Sequence, residues 1–461
     1  MRHIVKTHSL ALFLIASFFV FVTAGATKAI AKDKPFLNIQ EVTSPGGITA
    51  WLVEDHSIPV ISVEYAFRGA GSKTDPEDKQ GLARMVSNTM DEGAGDLTSQ
   101  DFQKELQDLS ITLNFTVGRD TFGGQLKTLS KNRDRAFELL TLAVNKPRFD
   151  DEPVARMREA NKSRIKSSMS DPNWIAARLQ NDRIFEGHPY AFNSGGTLTS
   201  LDKITPDDLR TFHAGLGKNN LVIGVSGDIT AQELAGVLDN VFSSLPDVPR
   251  KDDEKIGLRN GGKTYLYKKD IPQTVIEIAQ KGIGRNDPDY YAAQVMNYIL
   301  GGAGFGSRLM DEVREKKGLT YGIYTYFDNY DDVDVYHVTT STVNESAAQV
   351  LALIKTEWAK MKDAPPSTKE LDDARSYLIG SLPLSLTSSD SIAQVLLSLQ
   401  LDHLPIDYLD QRREKLNALS VTDIQYVAKR LLDSESFTTI LVGNPVGVDG
   451  AEMVETLPNV E

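Results

Sequence analysis

The amino-acid sequence predicts a mixed α/β (α+β) protein made of two similar halves, and three observations predict it. Short β-type runs alternate with longer helical patterns. The order of those elements recurs after a charged, proline-bearing stretch, Leu245–Lys255, whose composition suits an exposed linker. Two local patterns also occur twice: Ser170–Leu179 echoes Ser388–Leu396, and Leu221–Asp228 echoes the run ending at Asn444. Two copies of a unit of roughly 200 residues is the economical account, since solenoid repeats are far shorter. Strands alternating with helices imply helices packed on a sheet.

In the first half the β-type runs are Ile48–Val53 and Pro59–Phe67, and the half closes with Asn220–Asp228. Apolar residues at helical spacing predict helices over Gly81–Met90, Ser99–Leu109, Lys131–Val144, Glu152–Ser168 and Ala231–Phe242. In the second half, strand Thr274–Gln280 leads to helix Tyr290–Leu300, a glycine-rich turn, helix Ser307–Lys316 and a strand near Tyr321–Phe327. Helices Ala347–Met361, Lys369–Ser381, Ser389–Leu399 and Val421–Leu432 follow, before a last strand, Ser436–Asn444.

Composition narrows the chemistry. The 461 residues are 41% hydrophobic and 25% charged, a globular balance. Net charge is −13, and residues 1–31 hold three bases (Arg2, Lys6, Lys28) and no acids, so the remainder carries −16. Such a surface repels phosphate backbones and argues against nucleic-acid binding. There is no cysteine, which excludes disulfides, thiol nucleophiles, thiolate zinc sites and iron–sulfur clusters. The seven histidines include no His-x-x-x-His pair after residue 31.

Residues 1–31 read as a secretory signal: a basic start, an apolar run from Leu10 to Val22, then small residues. The apolar run is too short to span a bilayer, which takes about 20 helical residues. The expectation is a periplasmic protein with no membrane span once the signal is removed. The remaining chain divides into 32–245, a linker over 246–265, and 266–461.

The stretch Gln80–Gly95 decides the reading. Leu82, Met85, Val86 and Met90 form an apolar stripe, while Arg84, Ser87 and Asn88 stand at i, i+3 and i+4 on another face. Its frame of Gly81-Leu-Ala83 with Met90 beyond resembles the pitrilysin/insulinase family of zinc metallopeptidases, in its processing-peptidase branch. Active members of that family carry His-x-x-Glu-His there, and a third carboxylate ligand about 75 residues on. Two histidines one turn apart hold zinc and the glutamate polarises water. Here those positions are Arg84, Ser87 and Asn88. Counting back from Asp171-Pro172 puts the third-ligand position at Arg164, with 75 residues between it and Asn88; the adjacent Ser163 and Ile165 are no better as ligands. Glu159 is more than a turn away. Arginine has no acceptor and stays protonated. No zinc and no activated water are expected in this half.

The second half keeps the family's other signature. Gly301–Gly322 reads as a glycine-rich turn, Ser307-Arg-Leu, then Val313-Arg-Glu-Lys-Lys-Gly-Leu-Thr-Tyr321. In the family an arginine and a tyrosine seven residues apart reach toward the substrate, and Arg314 and Tyr321 stand at that spacing. A guanidinium and a phenol at a peptide carbonyl would stabilise developing oxyanion charge. The competing reading places Arg314 on a solvated helix surface, beside a Glu312–Lys316 pair, and Tyr321 in strand packing.

The resemblance implies two metallopeptidase-like domains, each a largely antiparallel sheet covered by helices, in a clamshell arrangement. It also implies a heterodimer in which one subunit carries the zinc and the other keeps the Arg/Tyr pair. On this reading the chain is the non-catalytic, substrate-binding subunit. It holds no cofactor, its zinc-bearing homologous partner supplies the metal, and an unstructured peptide is the substrate. The edge strand on which a peptide would lie is expected near Ile111–Val117. Two alternatives are a peptide-binding or scaffold protein of the same fold and an independent enzyme. The Gly302–Gly306 run lacks the lysine of a P-loop and is not a phosphate cradle; Ser163–Lys166 lacks the companion motifs of a Ser-x-x-Lys enzyme. His188-Pro-Tyr190 reads as a structural turn.

Overall fold

The computed structural model describes residues 35–249 and 254–461, so the signal reading of residues 1–31 lies outside the described residues. Residues 36–461 form one compact unit containing two six-stranded sheets. The first holds β1 (Gln40–Thr43), β2 (Thr49–Glu54), β3 (Val60–Arg68), β4 (Thr112–Val117), β5 (Thr121–Leu129) and β6 (Leu221–Gly227), in the order β1-β2-β6-β3-β5-β4. The second holds β7 (Thr264–Lys268), β8 (Gln273–Lys281), β9 (Thr320–Asn329), β10 (Asp334–Val343), β11 (Thr438–Gly443) and β12 (Glu452–Met453), in the order β12-β7-β11-β8-β10-β9. Five strands of each sheet follow one scheme: β2-β6-β3-β5-β4 matches β7-β11-β8-β10-β9. In both, the first pair is parallel and the other pairs are antiparallel. The expected pair of largely antiparallel, helix-covered sheets is what the chain forms.

Each sheet buries one face under helices of its own half, giving two separate cores. The other faces are covered reciprocally. Helix Pro172–Ile184, from the first half, lays Ile175, Ala176 and Leu179 on Tyr265, Val275, Ile440 and Val442 of the second sheet. Helix Ser389–Leu401, from the second half, lays Leu396 and Leu399 on Trp51 and Val53, and Leu397 on Ala66 and Val222. These exchanged helices begin at the two segments whose sequences echo one another. Both start cleanly: Asp171 caps the first by accepting from Asn173 N, with Pro172 at the first helical position, and Ser388 forms a capping box with Ser391. Gly224 on β6 makes the contact possible, because a Cβ there would stand 2.4 Å from the Ala393 carbonyl oxygen. The chain end also returns to the first half, where Leu198 N donates to Val460 O at 2.9 Å.

Beneath each exchanged helix lies one glutamate, half-buried at the fifth residue of β3 (Glu64) and buried at the fifth of β8 (Glu277). Burial pushes both carboxyls up to about 7, and Asp390 adds to the effect on Glu64. Thr339 donates to Glu277 Oε1 at 2.6 Å.

Two outcomes follow from this arrangement. Glu277 keeps its proton to about 7 when folded and loses it near its ordinary value of 4.5 when unfolded. Folding therefore binds protons in that window, and stability falls as pH rises through it. Urea unfolding at pH 5 and pH 8 is expected to show a drop of which Glu277→Gln removes on the order of 3 kcal/mol, with a smaller, solvent-screened share from Glu64. Gly224→Ala is expected to cost about 1–3 kcal/mol in the same measurement by forcing the exchanged helix outward.

Candidate functional site

The helix carrying Arg84 runs from Leu82 to Ser87 and starts on a buried carboxylate: Asp75 accepts from Gly81 N at 2.8 Å and Ala83 N at 2.9 Å. Burial pushes Asp75 up to about 7 against those hydrogen bonds. Leu82, Met85, Val86 and Met90 are buried as the apolar stripe requires. The helix is shorter than the pattern suggests, ending with Asn88 as its cap, whose N–H still closes on Arg84 O at 3.0 Å.

Arg84 lies half-buried against edge strand β4, its Nη2 donating to Val117 O at 3.4 Å. Asn88 Nδ2 donates to Asn161 Oδ1 at 3.0 Å, and Arg164 Nη1 reaches the same oxygen at 3.5 Å. Asn161 and Arg164 share a face of helix Asp151–Ser168. Asn88 and Arg164 thus come together on Asn161, with Arg84 near enough to feel the Arg164 charge; Asn161 was not singled out from the sequence, and its place three residues before Arg164 was the available signal. Ser87, expected on the same face, is buried, and its hydroxyl donates to Arg84 O at 2.9 Å.

This constellation does not suit a zinc ion. Zinc takes imidazole, thiolate or carboxylate, whereas the groups here are two guanidiniums, which only donate, and two carboxamides already bonded to each other. Among the described residues no group of three or more His, Cys, Asp or Glu could hold a metal. The local field is cationic: burial lowers the pKa of Arg84, the Arg164 charge lowers it further, and Asp75 opposes them more weakly.

The second constellation stands beside edge strand β9. Helix Tyr290–Asn297 runs into a wide turn, Tyr298–Gly302, and Met310–Glu315 is wound as a π-helix. The sequence suggested ordinary helix at both places; instead Ala303 N closes on Tyr298 O at 3.0 Å and Lys316 N on Asp311 O at 2.9 Å, five residues back. The Arg314 guanidinium lies 4.3 Å from the centre of the Phe305 ring and 3.2 Å from Glu315. Glu312 pairs with Lys316 at 2.5 Å, as expected, and Arg314 takes no part in that pair.

A turn through Gly318 (φ 64°) brings the chain back beside this helix to begin β9. Tyr321 is 85% exposed. Its phenol is not strand packing. Tyr324 and Tyr326 are exposed on the same strand, and neither was singled out from the sequence, although the spacing Tyr321-x-x-Tyr324-x-Tyr326 was visible. Tyr324 folds back over Gly322, where a Cβ would stand 2.8 Å from the ring. Tyr321, Tyr324, Thr339 and Ser341 share a shallow groove with Asn173, from the start of the exchanged helix of the first half. Among the described residues no hydrogen bond or ion pair joins the Arg84 cluster to Arg314 or Tyr321. His188 and Tyr190 lie at the seam between the halves, with His188 Nε2 3.5 Å from Asp332 and the Tyr190 hydroxyl bonded to Asp120.

Zinc added in slight excess and followed by gel filtration is expected to leave the protein metal-free; stoichiometric retained zinc, lost on Asn88→Ala, would show that these side chains do hold the ion.

Comparison with known proteins agrees with this geometry. Residues 66–191 match the family described as Insulinase (Peptidase family M16), and residues 203–378 match Peptidase M16 inactive domain. The non-peptidase homologue YmxG of Helicobacter pylori is 26% identical over 407 residues, covering 85% of this chain and 90% of its own. The mitochondrial-processing peptidase β subunit of Lentinula edodes is 22% identical over 402 residues, covering 83% of this chain and 84% of its own. A crystal structure of a peptidase M16 inactive domain from Pseudomonas fluorescens superposes with a TM-score of 0.83 at 28% identity, covering 89% of this chain and 99% of that one. The two matched segments span well over half of the sequence, and the chain belongs to the M16 (insulinase) peptidase family, its second half carrying the domain described as inactive.

Proposed function

We propose that this chain is the non-catalytic, substrate-binding subunit of a heterodimeric zinc metallopeptidase that processes or degrades unfolded peptides outside the cytoplasm. The observation that carries the reading is Tyr321, a displayed phenol on an edge strand, with Arg314 on the neighbouring helix outside the Glu312–Lys316 pair and held by Phe305 and Glu315. An Arg/Tyr pair in a chain whose own metal position is cationic makes chemical sense if another subunit brings the metal. The homologous partner would carry His-x-x-Glu-His and the zinc, and the two subunits would close around an extended peptide. β4, at the free edge of the first sheet, offers unpaired backbone groups to such a peptide. The Lentinula relative is itself named as a subunit, which supports a divided assembly. The periplasmic assignment rests on the basic, apolar and small-residue order of residues 1–31.

The test mixes the purified chain with the His-x-x-Glu-His homologue from the same genome and follows cleavage of an unstructured peptide. Activity is expected only in the mixture, abolished by a chelator. Arg314→Ala and Tyr321→Phe should each lower it by about 10²–10³ without unfolding the chain. Undiminished cleavage with both variants would favour a scaffold role, and turnover by the chain alone would favour an independent enzyme.

A further inference from the structure

The geometry points to Arg84 and Arg164 as an anion site that receives a carboxylate of an extended peptide lying along β4. This does not depend on a peptidase partner, because every group involved belongs to this chain.

Several arginines elsewhere in the molecule have the carboxylate partner that these two lack. Arg308 forks onto Glu370 at 2.6 and 3.1 Å, Arg133 meets Glu233 at 2.6 Å, and Arg135 meets Glu105 at 2.7 Å. Arg84 and Arg164 meet no carboxylate within ion-pair distance among the described residues. Each makes a single long hydrogen bond, 3.4 Å to Val117 O and 3.5 Å to Asn161 Oδ1. Their closeness is a cost: burial and mutual repulsion both bear on Arg84, and Asp75 offsets them only in part. Its carboxylate is turned to the helix backbone. A bound anion would relieve that repulsion, and guanidinium forks match a carboxylate in two parallel hydrogen bonds.

The position of the pair says what bears the anion. Arg84 touches the carbonyl of Val117, the last residue of β4, and β4 is a free sheet edge. Thr112, Asn114 and Thr116 are exposed along it, while Leu113, Phe115 and Val117 point inward. A peptide strand added to this edge carries its backbone past Val117, so a group at that register meets both guanidiniums. A C-terminal carboxylate and an aspartate or glutamate side chain present the same chemistry there. The site that does not suit a dication thus suits a single negative charge.

The test uses the isolated full chain and fluorescein-labelled, unstructured peptides of one sequence in three forms: free C-terminal acid, C-terminal amide, and amide with one internal aspartate. Anisotropy titration at low salt is expected to show at least one acidic form binding about ten-fold or more tightly than the neutral amide. The form that binds identifies the source of the carboxylate. Arg164→Gln, at an exposed position, and Arg84→Gln should each abolish that preference while leaving amide binding unchanged, and the double variant should lose no more than either single one. Thermal unfolding of both variants should be at or above that of the parent chain, since each removes a like-charge neighbour. Equal binding of all three peptides, no binding of any, or a preference that survives Arg84→Gln and Arg164→Gln would overturn the inference.

Discussion

The exchange of one helix between the halves is the constraint on which the other features rest. Antiparallel sheets can leave one face to water, but the central strands here are buried on both faces: β6, β8 and β11 are almost wholly inaccessible along their length. Neither half can supply the second cover alone. Each lends a helix whose leucines and isoleucine fill the other's open face, at about 1.5–3 kcal/mol per fully buried side chain. The halves are therefore set in one fixed relation, and groups on different halves can share a surface, as Asn173 and Tyr321 do. The glutamates beneath the exchanged helices, one half-buried and one buried, mark the same positions in both sheets.

On that common frame the two edges have diverged. β4 shows a row of Thr112, Asn114 and Thr116, flanked by a helix presenting Arg84. β9 shows Tyr321, Tyr324 and Tyr326, flanked by a π-wound helix presenting Arg314. One edge is polar with Arg84 at its end and Arg164 behind it. The other is aromatic with Arg314 beside it. Both arginine sites lie in a chain of strongly negative net charge, where local cations stand out as attachment points for negative or developing-negative groups.

Much of the fold was readable because periodicity reports burial. Helix Ala231–Phe242 appears at the residues its apolar spacing specified, and β3 and β8 differ from their expected bounds by only one or two residues. Motif spacing alone picks out Arg84, Asn88 and Arg164, although nothing in that spacing says that they converge. Asn161 escaped because it is a polar residue at a buried helix position, where apolar periodicity gives no cue. The winding of Met310–Glu315 escaped because a π-turn uses residues indistinguishable from those of an α-helix.

What the sequence by itself determined is the chemistry: no thiol, no histidine pair, arginines where ligands would stand, and an Arg/Tyr pair seven residues apart. Those are properties of residue type and local spacing, which the chain carries whether folded or not. Only the tertiary structure decided that Tyr321 faces solvent, that Ser87 turns inward, and that Arg84 and Arg164 meet without a carboxylate between them. Each depends on which surfaces far apart in the chain cover one another, and that is settled by packing two incomplete sheets together.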